Sequence, residues 1–341
     1  MAILIYIARR AVTMALTLLA ISALVFFIIK LPPGDFLTNQ IAELQAQGDP
    51  SAAAKAEFLR AQYALDRPIW EQYLIWMGLW SGPNGISGLL QGDWGWSFEF
   101  QRPVNEVVGG ALALTLVVNL AVVVFVHLIA IPIAIYSATR QYSLGDYVAT
   151  FIGYIGLATP NFLLALILLF YLNRWFGISI GGLMDPRYMN EPMSSAKMSS
   201  ILSHLIAPVI VIGLSGTAAM IRRMRANLLD ELQKQYTVTA RAKGMRPLPA
   251  LLKYPFRMAL NPFVADIGNL LPHLVSGSVL VSLVLSLPTV GPVLLQSLKT
   301  QDQYLAGFIL MFVAVLTVVG MLISDLLLAT LDPRIRFGKR G

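Results

Sequence analysis

The sequence predicts an all-α integral membrane protein with six transmembrane helices. Three observations carry this. First, hydrophobic residues make up 57% of the 341 residues and charged residues only 13%, against roughly 25% charged in a soluble domain. Mean hydropathy is accordingly +0.69. Second, several apolar runs reach the length of about 20 residues that a helix needs to cross a bilayer. Third, Lys and Arg fall unequally between alternate loops, as the positive-inside rule requires. The net charge of +7 and pI near 9.6 thus need no nucleic acid to explain them. The chain has no cysteine, which excludes disulfides, thiolate metal sites and cysteine nucleophiles.

The first span is placed at residues 9–30, behind Arg9 and Arg10. A cleaved signal peptide would have an apolar region of about 7–15 residues followed by small residues. Here the run continues straight into "IIKLPPGDF", so it reads as an uncleaved span. The other spans are expected near 111–136, 148–172, 203–224, 264–287 and 305–331. The fourth is the least apolar and contains Pro208, Gly213 and Gly216. Such residues are tolerated in membrane helices where neighbours satisfy the freed backbone groups. With a cytoplasmic N-terminus, sixteen of the 25 Lys and Arg lie inside and eight outside, with Lys30 at a boundary. An even number of spans returns both termini to the cytoplasm. No repeat, linker or soluble domain interrupts the chain, so residues 1–341 read as one membrane domain.

Two loops are long. Residues 31–110 fall outside. "AAAKAEFLRAQYALDRPIWEQYLIWMGLW" has helical spacing broken at Pro68, and "GLLQGDWGWSFEFQRPV" interleaves glycine with aromatics. This loop reads either as a surface helix with Trp and Tyr at headgroup depth or as a docking surface for an extracytoplasmic partner. The two readings are compatible. Residues 225–263 form the only large cytoplasmic loop, and all charges within 235–263 are positive: Arg241, Lys243, Arg246, Lys253 and Arg257. The fourth span is expected to run out into the cytoplasm and break near Gly244 into a short transverse helix. Glycine takes the left-handed cap conformation at little cost, and Pro247 and Pro249 oppose continuation. Pro255 and Pro262 shape the return to the membrane. Attraction to anionic lipid would contribute about 1 kcal/mol per basic residue. Nucleic-acid binding lacks an aromatic stacking platform. The remaining reading is a rigid knob that takes force from a soluble motor.

Little chemistry is visible. No G-x-x-x-x-G-K-[ST] phosphate loop is present, so nucleotide hydrolysis would belong to another chain. His127, His204 and His273 are dispersed and form no metal motif. No G-x-S-x-G elbow occurs. Among the ionisable residues inside spans, His127, Asp266, His273 and Asp325 are the candidates for function. Asp266 lies near the start of its span, and Asp325 about six residues, roughly 9 Å, before the end of its own. Both fit a structural or gating role better than a proton relay, which would want carboxylates at the midplane. His127 reads most simply as a buried, hydrogen-bonded histidine, with solute contact the other reading.

The motifs add a resemblance. "YTVTARAKGM", "NPFVADIGNLLPHLVSGSVLVSLVLSLPTVGPVLLQSL" and "LLLATLDPRIRFG" resemble the permease subunits of binding-protein-dependent ABC importers. "RRAVTMALTLLAISALVFFIIKLPPGD", "LDRPIWEQYLIWM", "GDWGWSF" and "LATPNFLLALILLFYL" extend the resemblance over essentially the whole chain. The closest branch is the oligopeptide, dipeptide and nickel permeases. The resemblance implies a type I importer permease fold, with Thr239, Ala240, Arg241, Ala242, Lys243 and Gly244 forming a coupling helix seated in a groove of an ATPase subunit. The glutamate found in this motif of many permeases is absent here. The resemblance further implies a second, related permease chain, two ATPase subunits that hold ATP and Mg, and an extracytoplasmic binding protein. No cofactor is expected on this chain itself, and the location is the bacterial inner membrane. "SLPTVGP", residues 286–292, would break the fifth span at the outer face. Leu287, Pro288 and Gly291 are there read as an outer gate, against a simple loop turn. The expected solute is a peptide, with an oligosaccharide close behind. A gradient-driven carrier and a membrane enzyme are the competing classes. A reporter fused after residue 245 is expected to read cytoplasmic and one near residue 80 to read outside; swapped signals would invert the topology.

Overall fold

The computed structural model describes residues 2–34, 36–38, 41, 52–83 and 85–331, without the side chains of 2–7, 52, 53, 55, 56, 265–276 and 329–331. Helices dominate: α1 (Ala2–Ile29), α2 (Ala52–Gln62), α3 (Ile69–Met77), α4 (Val104–Thr139), α5 (Leu144–Ala158), α6 (Asn161–Phe176) and α7 (Ser195–Leu232). They continue with α8 (Gln235–Ala242), α9 (Pro247–Lys253), α10 (Pro255–Ala259), α11 (Asn261–Val284), α12 (Val290–Lys299) and α13 (Gln303–Leu331). Before α4, a small antiparallel pair joins β1 (Trp96–Ser97) to β2 (Arg102–Pro103), with Trp96 opposite Pro103. Among the described residues, α1, α4, α7 and α13 are each long and apolar enough to cross a membrane.

The expected third span, 148–172, is not one straight helix. It is the pair α5 and α6, bent by 99°. The break lies at Thr159 and Pro160. Thr159 is extended at φ −89°, ψ 121°, because the ring of a following proline disfavours the helical region. Pro132 and Pro208, by contrast, sit inside α4 and α7 without ending them.

Two compact units form, one within Met1–Ala113 and Pro292–Leu316, the other within Leu114–Gly291 and Thr317–Gly341. In the second, α5, α6, α10 and α11 all pack on α7. The contact stripe of α4 recurs every fourth residue: Val118, Val122, Val126, Ala130, Ala134 and Ala138, all buried. The same core holds Val211, Ile212, Met224 and Leu228 of α7. Lipid is as apolar as these side chains, so close packing rather than water exclusion favours the contact. Small residues make it possible. A Cβ on Gly213 would fall 2.7 Å from the Phe125 ring, and one on Gly156 3.2 Å from Leu214. Val117, Leu120, Val124 and Leu128 occupy the exposed side of α4.

In the first unit α3 docks on α1. Phe26 lies 5.4 Å from Trp76 and 5.6 Å from Tyr73, ring to ring. Ser22 Oγ and Tyr73 Oη share a hydrogen bond of 2.9 Å, and Lys30 Nζ donates to Gln72 Oε1 at 2.6 Å. The "GDWGWSF" stretch grips the start of α13. Trp94 stacks on Phe308 at 4.1 Å, and Gly95 passes so near Tyr304 that a Cβ would stand 2.4 Å from its ring. Ser97 Oγ donates to Asp302 Oδ2 at 2.6 Å and the Glu99 N–H to the same oxygen at 3.1 Å. The Leu305 N–H reaches Oδ1 at 3.3 Å. Asp302 is fully buried. Burial holds its carboxyl above the ordinary range, against the pull of these hydrogen bonds toward ionisation.

One ion pair ties α5 to α7. Arg225 donates from Nε to Asp146 Oδ1 at 2.8 Å and from a terminal nitrogen to Oδ2 at 2.7 Å. Asp146 is buried and also accepts the Tyr142 N–H at 3.0 Å. Ser143 caps α5 by accepting the Asp146 N–H.

Two predictions follow from these carboxylates. Asp146→Asn loses a forked, charge-assisted contact and should cost about 1.5–3 kcal/mol, read as a lower thermal midpoint in detergent. Arg225→Lys, which keeps the charge but not the fork, should fall between wild type and Asp146→Asn. Asp302 behaves differently. Its raised folded pKa means that the folded chain holds this proton more tightly than the unfolded one. Stability should therefore be lost as pH rises from about 4 to the folded value of Asp302, and level off above it. Asp302→Asn should remove that slope. A wild-type-minus-variant difference of opposite sign would show that the hydrogen bonds outweigh burial.

Candidate functional site

Helix α7 has 38 residues, about 57 Å at 1.5 Å per residue, while the hydrocarbon core is about 30 Å thick. One end must leave the membrane. The end carrying Arg222, Arg223, Arg225, Asp230 and Glu231 is the polar one. There α7 stops at Leu232, twelve residues before the break expected near Gly244. Lys234 is extended at φ −67°, ψ 147°. The Thr237 hydroxyl donates to the Glu231 carbonyl at 3.0 Å, and its N–H to the Lys234 carbonyl at 3.0 Å. A terminal carbonyl of α7 is thus satisfied by the first turn of a new helix.

That helix, α8, buries Thr237 and Ala240, one turn apart. Tyr236, Val238, Thr239, Arg241, Ala242 and Lys243 face outward. Gly244 ends it at φ +77°. Its N–H reaches the Arg241 carbonyl at 2.9 Å, and the Met245 N–H reaches Ala240 at 3.2 Å. A Cβ here would meet open space, so glycine is required by conformation rather than crowding. The six residues expected to couple, Thr239 to Gly244, therefore form one exposed helical end and its cap, except that Ala240 faces inward.

Helices α9 and α10 begin with Pro247 and Pro255, residues suited to a first turn. They bury Ala250, Leu251, Pro255 and Ala259 and leave Leu248, Leu252 and Met258 exposed. The outward surface of α8 to α10 is therefore both basic and apolar. The basic half was legible in the sequence. The apolar half was not, because the short helices hide their alternation.

The segment read as an outer gate is a tight turn between two helices. After α11 ends at Val284, Ser286 takes φ +53°, Leu287 and Gly291 are buried and Pro288 is exposed. The Leu287 N–H reaches the Ser282 carbonyl at 2.8 Å, and the Val290 N–H donates to Thr115 Oγ1 at 2.9 Å. The Leu285 carbonyl accepts the Gly182 N–H at 2.7 Å. A Cβ on Gly291 would lie 2.9 Å from Val279 Cγ2 and 3.0 Å from its Cα. Beyond it runs α12, whose 10 residues, about 15 Å long, are too few to span a bilayer.

The ionisable residues expected within spans lie on three helices, α4, α11 and α13. His127 is half-buried on α4, and its Nδ1 donates to the Val123 carbonyl at 2.8 Å, one turn back on the same helix. His204 makes the same bond to Ser200 on α7. Asp325 is half-buried on α13. Asp266 and His273 fall on α11, with side chains outside the described residues. Among the described residues no group of His, Asp and Glu could hold a metal. Sequence reading missed the Asp146–Arg225 pair. Its only local sign is Ser143 three residues before Asp146, a helix-capping pattern.

Residues 130–337 match the family described as binding-protein-dependent transport system inner membrane component, and residues 3–121 match the N-terminal region of such membrane components. The oligopeptide transport system permease protein AppB of Bacillus subtilis is 34% identical, over 97% of this chain and 99% of its own length. A putative peptide permease protein of Brucella suis is 30% identical over 94% of this chain and 95% of its own. The dipeptide transport system permease protein DppB of Escherichia coli K12 is 26% identical over 98% and 99%. With a full-length match of this kind, and several long apolar helices of which α7 outruns the bilayer, the chain belongs to the family of binding-protein-dependent transport system inner membrane components.

Proposed function

We propose that this chain is a transmembrane permease subunit of an ATP-driven importer, and that its solute is a peptide delivered by an extracytoplasmic binding protein. Full-length likeness to proteins named as oligopeptide and dipeptide permeases supports the solute class. The oligosaccharide alternative is not favoured beside it. The chain would cross the inner membrane six times, with both termini cytoplasmic, the 31–110 loop outside and the 225–263 loop inside. It would work with a second, related permease chain and two ATPase subunits. ATP and Mg would be held by those subunits, and the chain itself would be neither catalytic nor cofactor-bearing.

The observation that carries the mechanism is the exposed face of α8. It stands at the end of a helix too long for the bilayer, and it presents Arg241 and Lys243 beside Tyr236 and Val238. A basic and apolar helix of two turns suits a groove in a soluble partner better than a lipid surface alone. Closure of the ATPases would displace α8, and α7 would carry that displacement to the helices packed on it. Packed helices switch between discrete arrangements rather than deform continuously. ATP would favour one arrangement by binding it more tightly. Leu287, Pro288 and Gly291 would form the outer gate, moved through the turn that joins α11 to α12. Asp266, His273, Asp325 and His127 would serve structure or gating.

The test is uptake of a labelled dipeptide and a labelled oligopeptide by cells carrying Arg241→Glu or Gly244→Pro. Both changes should reduce uptake at least about tenfold, roughly 1.4 kcal/mol or more in the rate-limiting barrier, with normal amounts of the chain in the membrane. Undiminished uptake in both variants would remove the coupling assignment.

A further inference from the structure

The loop between α1 and α4 holds a cavity of about 270 Å³ that neither the coupling helix nor the gate uses. Tyr63, Trp76, Trp96 and Tyr304 line it, with Asp93 beside them. The Tyr63 and Tyr304 rings stand 6.0 Å apart at 59° and form a corner. Glycines fix the shape, since a Cβ on Gly88 would lie 2.3 Å from the Gly78 nitrogen and one on Gly95 2.4 Å from the Tyr304 ring.

Asp93 is exposed and held in place. Ser87 Oγ donates to Oδ2 at 2.6 Å and the Gly95 N–H to Oδ1 at 3.0 Å. These bonds orient the carboxylate without neutralising it. Among the described residues no Lys, Arg or His forms an ion pair with Asp93. Its charge, after burial, holds the Tyr63 hydroxyl above its ordinary range. A neighbouring cavity shares Tyr63, Trp76 and Tyr304 and contains Lys30, whose ammonium lies 5.8 Å from the centre of the Phe26 ring. The chain thus already seats one ammonium against an aromatic face next door.

A fixed carboxylate among several ring faces is the combination that recognises an ammonium group taken partly out of water. Ring faces and carboxylate alike repel an anion, and a neutral group would leave the carboxylate uncompensated. We propose that this cavity binds a primary ammonium group, such as a peptide carries at its N-terminus or on a lysine side chain. The assignment stands apart from the importer reading, because direct binding tests it without transport.

The purified full-length chain in nanodiscs is titrated calorimetrically with n-butylammonium and, separately, with n-butanol. Saturable binding of the ammonium alone is expected, weakened about tenfold or more by Asp93→Asn and by added salt. Glycylglycinamide and Nα-acetyl-lysinamide then separate an N-terminal from a side-chain source; tighter binding of either supports the site. Equal binding of butanol and butylammonium, or no saturable binding of either, overturns it in the wild-type protein, so a misfolded variant cannot decide the outcome. Unchanged affinity in a folded Asp93→Asn protein also overturns it.

Discussion

In hydrocarbon, every backbone N–H and C=O must find a partner within the protein. This constraint governs where the chain can bend. At the α5–α6 break the Thr159 N–H and hydroxyl both reach the Ile155 carbonyl, at 3.0 and 2.8 Å, and the Pro160 carbonyl accepts from Leu163 and Leu164. At the α11–α12 turn a threonine hydroxyl from α4 takes the Val290 N–H, and a glycine N–H takes the Leu285 carbonyl. Each departure from helix is therefore located where protein groups replace the missing partners. The bends are built features, and they supply the points at which packed helices could be re-aimed.

The same constraint makes α7 a lever. The helix runs on for 38 residues with Pro208 inside it, so displacement at one end would be carried along the axis. Asp146–Arg225 ties α5 to it with two short bonds, and the Thr237 hydroxyl ties α8 to its last turn. A fork of two charge-assisted bonds resists rotation as well as separation. Force applied to α8 would thus reach the bent α5–α6 pair through geometry already present.

How much of this was legible in the sequence depended on the range of the interaction. Apolar runs announced the long helices because hydropathy is a property of each segment alone. Gly244 announced a helix end for the same reason, since its left-handed conformation is a local preference. Pro160 was passed over because proline chemistry is ambiguous in membranes: Pro132 and Pro208 were absorbed into helices, and Pro160 was not. What differs is tertiary surroundings, which no local pattern records. Asp146 and Arg225 are 79 positions apart; Arg225 entered the reading only as one more positive charge. The early stop of α7 at Leu232 was missed because good helix formers run through it, and a single threonine hydroxyl marks the new start.

Two carboxylates near the same loop show how folding divides its charges. Asp302 is fully buried, and donors from Ser97, Glu99 and Leu305 occupy its oxygens. Its lone pairs are committed to holding the loop on α13. Asp93 is exposed, accepts, among the described residues, a serine hydroxyl and one backbone N–H, and lines a cavity with aromatic rings. Both donors serve to aim it. A carboxylate that the fold aims but does not neutralise costs little while water covers it, and its attraction for a cation rises where rings lower the local dielectric. The loop thus commits one carboxylate to structure and keeps the other oriented and unpaired, which is the state in which a charge can discriminate between ligands.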